Sequence, residues 1–348
     1  MSLRFCKSCC MDGTDPDLVL DAEGVCNHCH AAQKSLKEIE VEKPNLAGII
    51  ERIKKDGHAY DVLLGISGGV DSSYALVKAV ELGLRPLCFS VENGWQDDRA
   101  QENVMRLVEG LKVPFIRYTI DLKKFRELQA AFMRAGQKNI EIPTDHVLMA
   151  VTYELAKTYG IKWVVSGGNV NSESVMPVSW GYQPRDLVHI KSVYRWATGK
   201  KLKGLPLCGL LKWNIYKWWY GIKTFYLLDY LDYNRQESEK MLIEKYGFQS
   251  TGEKHEESVF TKWFQNFYLY QKYGIDKRTA HFSSLVNSGQ MTRAEAMEKL
   301  QTNPVYPLLG IEEKVMKYPK RPYTDFKTDE GLFTAISKTI RFLRRIKR

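Results

Sequence analysis

Long apolar runs are missing from this sequence of 348 residues. No stretch approaches the ~18 consecutive apolar residues that a transmembrane helix requires, and the opening MSLRFCKSCC has no apolar core of signal-peptide length. A cytoplasmic protein without a membrane span is therefore expected. Acidic residues are also in the minority, 41 against 51 Lys and Arg, for a formal charge of +10. This charge favours anionic partners such as nucleotides, nucleotide-sugars, nucleic acid or an acidic membrane face.

Cysteine is scarce beyond the N-terminal region, and none follows Cys208. Four of the seven cysteines form two C-x2-C pairs separated by sixteen residues. This spacing is typical of a structural, tetrahedral zinc site in a reducing compartment, so residues 1–31 are predicted to form a zinc ribbon. The predicted zinc ligands are Cys6, Cys9, Cys26 and Cys29. Neighbouring Cys10, His28 and His30 leave the ligand set open, and a redox pair or free thiols are alternatives.

Strand and helix patterns alternate between residues 61 and 168. Apolar runs with the length of buried parallel strands are VLLGI, RPLCFSV, VPFIRYTI and IKWVVSGG. Helical patterns between them are SSYALVKAVELG, DDRAQENVMRLVEGLK and DHVLMAVTYELAKTYG. The alternation predicts an α/β fold with a parallel sheet, helices on both faces, and a ligand beyond the carboxyl ends of the strands.

The alternation is predicted to end near residue 180. We therefore expect an α/β domain over residues 32–180 and a mainly helical region over residues 181–348 that completes the active site. Residues 185–225 carry nine Lys or Arg, one acid and seven Trp or Tyr. This stretch could bind a nucleotide, a partner subunit or a membrane surface, or simply pack as a helical layer. The tail GLFTAISKTIRFLRRIKR predicts an amphipathic helix that packs on its own domain, on a partner or on lipid.

The loop after the first strand lacks two common phosphate-binding patterns, G-x-x-x-x-G-K-[ST] and G-x-G-x-x-G. It reads SGGVDSS instead. Adjacent glycines let backbone N–H groups approach an anion, and the serines open a helix whose dipole favours negative charge. Asp71 beside a phosphate requires a cation such as Mg²⁺ between them. The predicted phosphate-binding residues are Ser67, Gly68, Gly69, Asp71, Ser72 and Ser73.

The S-G-G-x-D-S motif in a strand–loop–helix setting resembles the pyrophosphate loop (PP-loop) of the N-type ATP pyrophosphatases. The resemblance implies a parallel-sheet ATP pyrophosphatase domain that uses ATP and Mg²⁺ and splits ATP between its α and β phosphates. A carbonyl-type oxygen is then adenylylated, and a nitrogen or sulfur nucleophile displaces AMP. It also implies adenosine at the ends of the second and fourth strands, beside Val91, Asn93, Gly94, Ser166, Gly167 and Gly168.

Three further segments resemble the bacterial N-acetyl sugar amidotransferases. They are FCKSCCMDGTDPDLVLDAEGVCNHC, SGGNVNSESVMPVSW and GEKHEESVFTKWFQNFYLYQKYGIDKRTAHFSSLVNSGQMTRAEAMEKL, and the resemblance extends from Cys6 to about Leu300. It implies conversion of a sugar acetamido group to an acetamidino group, for lipopolysaccharide O-antigen or flagellar sugars. A nucleotide-linked sugar is the expected substrate. The implied partners are a glutaminase subunit and an ammonia-channel subunit resembling the two halves of imidazole glycerol phosphate synthase.

The chain itself offers no recognisable glutaminase. Position 2 is Ser2 rather than a cysteine, and the remaining residues do not suffice for a glutaminase domain. Ammonia is thus expected from a separate subunit or from solution. Cations should surround the charge that develops during adenylylation, while other side chains hold Mg²⁺, orient ammonia or move protons. The candidates for these roles, besides Asp71, are Glu173, Lys254, Lys277, Arg278, His255 and His281.

Two other functions compete with amidine formation. A tRNA-thiolating enzyme is favoured by the ribbon and the positive charge, but such enzymes need further cysteines, and only Cys88 lies close to the loop in sequence. Nucleic acid is therefore not an expected partner. The other alternative is a protein that binds ATP as a signal without turning it over.

Overall fold

A parallel sheet of five strands forms the centre of the protein, as a computed structural model that describes residues 5–254, 256–329 and 331 shows. The strands are β1 (Val62–Gly65), β2 (Pro86–Glu92), β3 (Phe115–Thr119), β4 (Trp163–Ser166) and β5 (Lys223–Tyr226). Their order in the sheet is β3-β2-β1-β4-β5. The chain therefore switches direction across the sheet at β1 and β4, and the carboxyl ends of these two strands border the crevice where such sheets bind ligands.

Helices cover both faces of the sheet and dominate the C-terminal region, as predicted. In the described residues they are α1 (Asn27–Glu42), α2 (Leu46–Asp56), α3 (Val70–Glu81), α4 (Asp98–Gly110), α5 (Leu122–Ala135), α6 (Ile142–Thr158), α7 (Val170–Glu173), α8 (Leu187–Thr198), α9 (Leu210–Trp218), α10 (Arg235–Tyr246), α11 (Val259–Trp263), α12 (Lys277–Asn287), α13 (Arg293–Leu300) and α14 (Glu312–Met316). A π-helix, Phe264–Lys272, continues α11. No helix in this part of the chain has both the length and the apolarity needed to cross a membrane.

The central strand β1 is buried on both faces, which explains its unbroken apolar sequence. Leu63 and Leu64 are both fully buried, yet they belong to different hydrophobic clusters because successive strand residues point to opposite faces. Leu63 lies in register with Leu87 on one side and Val164 on the other. The strand thus holds the loop that follows it on a rigid support.

Strand β5 was not predicted. It pairs in parallel with β4 at the edge of the sheet, and only Phe225 among its four residues is buried. An edge strand with one buried side chain has almost no apolar signal in the sequence. The division of the chain at residues 31 and 180 stays a prediction, but the sheet itself extends beyond residue 180. The predicted C-terminal amphipathic helix lies outside the described residues, as does His255.

Candidate active site

The predicted phosphate-binding loop turns sharply between β1 and α3. Gly68 has a φ of +81°, and a Cβ at this position would come within 2.0 Å of the Ala100 carbonyl oxygen. Only glycine fits both the backbone conformation and the space. The side chain of Asn103 on α4 donates a 3.1 Å hydrogen bond to the Gly68 carbonyl oxygen. The loop conformation is therefore fixed by contacts with α4.

A second glycine loop faces the first. Gly167 follows β4, and a Cβ there would approach the backbone nitrogen of Ser72 to 2.8 Å. The N-terminus of α3 is bare of side-chain caps, because its N-cap residue is Gly69. Its orphan N–H groups and the absent Cβ atoms give an anion close access to backbone donors. This arrangement fits the phosphates of a nucleotide.

The hydroxyl groups of the loop are held in a short network. Ser67 Oγ lies 3.1 Å from Ser72 Oγ and donates a 3.0 Å hydrogen bond to Glu257 Oε1. Glu257 comes from the C-terminal region, 190 residues away in sequence, and no pattern in the sequence links it to the loop. The Glu257 carboxylate places a negative charge beside the predicted phosphate-binding loop. A cation between this carboxylate and a bound phosphate would offset their repulsion.

Lys254 joins the two carboxylates that the sequence nominated. Its Nζ lies 2.8 Å from Asp71 Oδ2 and 2.8 Å from Glu173 Oε1, and it donates to Ser172 Oγ at 2.5 Å. Tyr233 also donates a hydrogen bond to Asp71. Three predicted residues, Asp71, Glu173 and Lys254, thus meet at one point beside the loop, although the last comes from a distant segment.

Opposing effects set the pKa of Lys254. Burial disfavours the charged ammonium and alone would lower the pKa, but the carboxylates of Asp71 and Glu173 more than offset this and raise it above its ordinary value. Lys254 therefore stays protonated at neutral pH. A fixed positive charge at the edge of the phosphate loop can stabilise negative charge that develops there.

A second group of charges lies farther along the same cleft. Burial lowers the pKa of Lys277 to about 8, although the nearby Asp145 and Glu173 partly oppose this effect. Burial raises the pKa of Glu141 to about 8 and that of Asp145 to about 6. The side chain of Glu141 accepts a 2.8 Å hydrogen bond from Thr261. Sequence analysis missed Glu141 and Asp145, which begin α6 and carry no motif of their own.

These groups line one cavity of about 1710 Å³. A pocket for one small ligand usually measures about 300–1,000 Å³, so the cleft has room for two substrates side by side. The predicted site residues on its wall are Ser67, Gly69, Asp71, Ser72, Val91, Asn93, Ser166, Gly167, Gly168, Glu173, Lys254 and Lys277. The loop, the ends of β2 and β4 and the C-terminal region therefore contribute to one site.

Several predicted residues lie elsewhere. Ser73 is fully buried within α3, and its hydroxyl has no hydrogen-bond partner among the described residues. Arg278 does not reach the cleft, because its guanidinium binds the Asp276 carboxylate and the backbone carbonyl oxygens of Lys299 and Thr302. Arg278 and the buried His281 line a separate cavity of about 60 Å³ behind Lys254. The proposed charge-stabilising role of Arg278 therefore has no support from its position.

The four predicted zinc ligands converge. Their sulfur atoms lie within 4.8 Å of one another, with distances of 3.9 Å for Cys6–Cys29 and 3.7 Å for both Cys9–Cys26 and Cys26–Cys29. Four sulfurs placed about 2.3 Å from a central zinc ion would be about 3.8 Å apart. The donor set therefore fits a tetrahedral, closed zinc site.

The structure also separates the neighbouring residues from this cluster. His28 pairs with Asp15 at 2.6 Å and His30 with Asp21 at 2.7 Å. Cys10 packs into another hydrophobic cluster, with Phe282 and others of α12 and α13. Among the described residues, the sulfur atoms of the four cysteines are the only such group close enough together to share one metal ion, so these cysteines stay the predicted zinc ligands.

The segment that carries the four clustered cysteines, residues 6–29 and here called the cysteine module, packs against α12 and α13. Arg293 at the start of α13 donates hydrogen bonds to the carbonyl oxygens of Cys9 at 3.0 Å and Cys6 at 3.1 Å. Ser179, on the wall of the cleft, donates a 2.6 Å hydrogen bond to Asp15. The module thus supports one side of the cleft without supplying a cysteine to it.

A comparison with known proteins finds a family match for the segment that begins at Glu257. Residues 257–309 match the model of the C-terminal domain of WbpG-like lipopolysaccharide (LPS) biosynthesis proteins. We refer to this matched segment as the WbpG-like domain. The resemblance to proteins of LPS biosynthesis is confirmed in this segment. The WbpG-like domain comprises α11, the π-helix, α12 and α13, and it begins at the residue that contacts Ser67.

Other similarities are more distant. The uncharacterized protein MJ1599 of Methanocaldococcus jannaschii is 25% identical over 166 residues, which are 46% of this chain and 57% of that protein. An NH3-dependent NAD synthetase from Campylobacter jejuni has 18% identity and a TM-score of 0.29, covering 39% of this chain and 58% of its own. An NMN synthetase from Francisella tularensis has 15% identity and a TM-score of 0.30, covering 68% and 92% respectively. The fold assignment rests on the sheet order rather than on these scores.

Proposed function

We propose that this protein is an ATP-dependent amidotransferase of bacterial surface-polysaccharide or flagellar-sugar biosynthesis. It converts the acetamido group of an N-acetyl sugar, most simply a nucleotide-linked one, into an acetamidino group. The amide oxygen attacks the α phosphate of ATP and releases pyrophosphate. Ammonia then adds to the carbon of the O-adenylylated intermediate, and AMP leaves with the former amide oxygen.

One contact carries the proposal. Glu257, the first residue of the WbpG-like domain, accepts a hydrogen bond from Ser67 of the S-G-G-x-D-S loop. The segment related to LPS biosynthesis and the loop that resembles a pyrophosphate loop therefore belong to one site. This combination supports an enzyme that uses ATP to modify a precursor of a surface sugar.

The residues present fit ATP and Mg²⁺. Glycine positions that a Cβ would block, together with the N-terminus of α3, would hold the phosphates. Asp71, Glu173 and Glu257 supply the carboxylate oxygens that Mg²⁺ prefers. ATP supplies the adenylyl group, whose transfer makes the poorly reactive amide oxygen a good leaving group.

The protein's own side chains then have distinct tasks. Lys254 holds Asp71 and Glu173 in place and provides positive charge at the loop. Lys277 provides a second cation that titrates near neutral pH. Asp145 and Glu141, with pKa values raised into the range of about 6 to 8, can accept or release a proton at the pH of the reaction.

The position of the cysteines disfavours the tRNA-thiolation alternative. All seven lie within the described residues and are buried. Four form the proposed zinc site. Burial raises the pKa of Cys10 to about 11, that of Cys88 to about 12 and that of Cys208 to about 11. A cysteine that carries sulfur to a substrate must be accessible and form a thiolate readily. None of the seven cysteines therefore has the properties of a sulfur carrier.

A separate glutaminase with an ammonia-channel subunit is the proposed source of nitrogen, and free ammonium is the substitute in vitro. The test combines purified protein, MgATP, an ammonium salt and a nucleotide-linked sugar that carries two acetamido groups. AMP and pyrophosphate should form together with a sugar in which one oxygen is replaced by NH. The same sugar with free amino groups is the matched control and should yield no AMP. Exclusive ADP formation, or ATP binding without turnover, would overturn the proposal.

A further inference from the structure

Helix α9 carries apolar side chains on opposite sides. Leu210 and Tyr216 are buried and attach the helix to the protein. Leu211, Ile215 and Trp218 lie three or four residues apart and therefore share the outer side. A surface helix normally presents polar residues on that side. The outer side of α9 is instead apolar, which indicates that it contacts a partner.

The exposure of this side is large. Trp219, which directly follows α9, is 85% exposed, Leu211 is 77% exposed and Trp218 is 61% exposed. Single exposed apolar residues are common on soluble proteins, but a contiguous group of this kind marks an interaction surface. We call Leu211, Ile215, Trp218, Trp219 and Tyr220 the α9 surface.

Lysines surround the α9 surface. Two of them, Lys212 and Lys217, belong to α9 itself. The Nζ of Lys157 lies 5.3 Å from the ring centre of Tyr220. Exposed Lys223 follows Tyr220 by three residues, and its backbone N–H donates a 2.8 Å hydrogen bond to the carbonyl oxygen of exposed Lys162. Two acids face these lysines: Glu154 faces Lys212, and Asp56 faces Lys162 and Lys223. The lysines outnumber these two acids, which favours an anionic partner.

The composition distinguishes between two kinds of partner. Tryptophan is enriched both at protein interfaces and at the membrane–water boundary, but lysine is depleted at protein interfaces. Lysines around exposed Trp and Leu side chains are typical of helices that lie on anionic lipid. We propose that the α9 surface docks the protein on an anionic phospholipid membrane, with its Trp and Leu side chains at the level of the headgroups and its lysines on their phosphates. This inference does not depend on the proposed catalytic activity.

The test uses the full chain and vesicles of phosphatidylcholine with or without phosphatidylglycerol. We expect cosedimentation with the anionic vesicles, a blue shift of tryptophan fluorescence, and loss of both at high salt. The double variant Trp218→Gln/Trp219→Gln should bind roughly tenfold more weakly or not at all. Trp196→Gln is the matched control, since Trp196 is a half-exposed tryptophan of α8 that packs on Phe326. Its binding should equal that of the unchanged protein, and thermal unfolding of both variants checks that they fold.

Several results would overturn the inference. The unchanged protein could fail to bind anionic vesicles, or the double variant could bind them as well as the control does. In the second case basic residues elsewhere would be responsible, including the tail at 332–348. A third result would assign the α9 surface to a protein partner. In that case the unchanged protein would not bind vesicles, but it would self-associate or form a stoichiometric complex with a glutaminase, and the double variant would abolish that association.

Discussion

The hydroxyl group of Ser67 donates a 3.0 Å hydrogen bond to Glu257 Oε1 and thereby joins the first loop of the sheet to the WbpG-like domain. The Glu257 carboxylate also lies where a Cβ at Gly69 would touch it, at 3.0 Å. A negative charge so close to a phosphate-binding loop repels ATP unless a cation lies between them. We therefore expect the binding of ATP to depend on Mg²⁺.

Glu257→Gln should reduce this dependence. In the unchanged protein we expect a non-hydrolysable ATP analogue to bind far more tightly with Mg²⁺ than with a chelator. The ratio of the two dissociation constants should be roughly tenfold smaller in the variant. Isothermal titration under both conditions measures it. Glu256→Gln is the control, because its carboxylate pairs with Lys262 at 2.8 Å and accepts a 3.1 Å hydrogen bond from Asn266. If the variant and the unchanged protein had the same ratio of dissociation constants, the Glu257 carboxylate would not interact with the bound cation.

Asp71→Asn should abolish most AMP formation while the protein stays folded. Asparagine keeps the shape of the side chain but removes the charge that Lys254 and the proposed Mg²⁺ share, and we expect a loss of about a hundredfold or more in the rate. AMP release is measured by chromatography and folding by circular dichroism. Asp98→Asn removes an exposed acid from the first turn of α4 and serves as the control. Full turnover by the Asp71 variant would remove this residue from the mechanism.

The pH profile should report the charge of Lys277. Burial lowers the pKa of Lys277 to about 8, so the cation is present below that pH and is lost as the pH rises through it. Pyrophosphate–ATP exchange, which needs no ammonia, should therefore decline above about pH 8 in the unchanged protein. Lys277→Arg should keep its charge and its exchange rate to higher pH. Lys277→Met should lose the exchange, and a normal rate in that variant would contradict the assigned role.

Zinc content should depend on the four clustered cysteines alone. Cys6→Ser removes one of the converging sulfurs, so bound zinc should fall below one equivalent and the melting temperature should drop by about 5 °C or more. Cys10→Ser is the matched control, since this buried cysteine is next in sequence to Cys9 but lies outside the cluster. Metal analysis and thermal unfolding measure both variants. Zinc retained by the Cys6 variant, or lost by the Cys10 variant, would mean that the ligand set is different.

Local patterns predicted the loop well and its surroundings poorly. The unbroken apolar sequence of β1, followed by two glycines and a helical pattern, specifies a strand, a turn and a helix over a few residues. Glu257 and Tyr233 reach the same loop from 190 and 162 residues away, and such contacts leave no periodic signal. Glu141 and Asp145 differ from other acidic residues because burial raises their pKa values, and no local sequence pattern indicates this burial.

Other differences have local causes. Arg278 was taken for an active-site cation, but Asp276 two residues earlier binds its guanidinium. Helix α5 was not predicted although its ends carry clear signals: Asp121 caps its first turn, and Gly136 with a φ of +57° ends it. These two cap signals in the sequence are enough to mark both ends of the helix. The edge strand β5 could not have been found in this way, since its residues are mostly exposed.

In the proposed reaction, the amide oxygen of the sugar attacks the α phosphate of ATP. Its most direct test uses a substrate whose acetamido oxygen carries a heavy isotope, with MgATP and ammonium. Mass spectrometry of the nucleotide product should find the label in AMP and none in pyrophosphate, with the label absent from the amidine. Label in inorganic phosphate alongside ADP, or AMP formed without any label, would contradict the account.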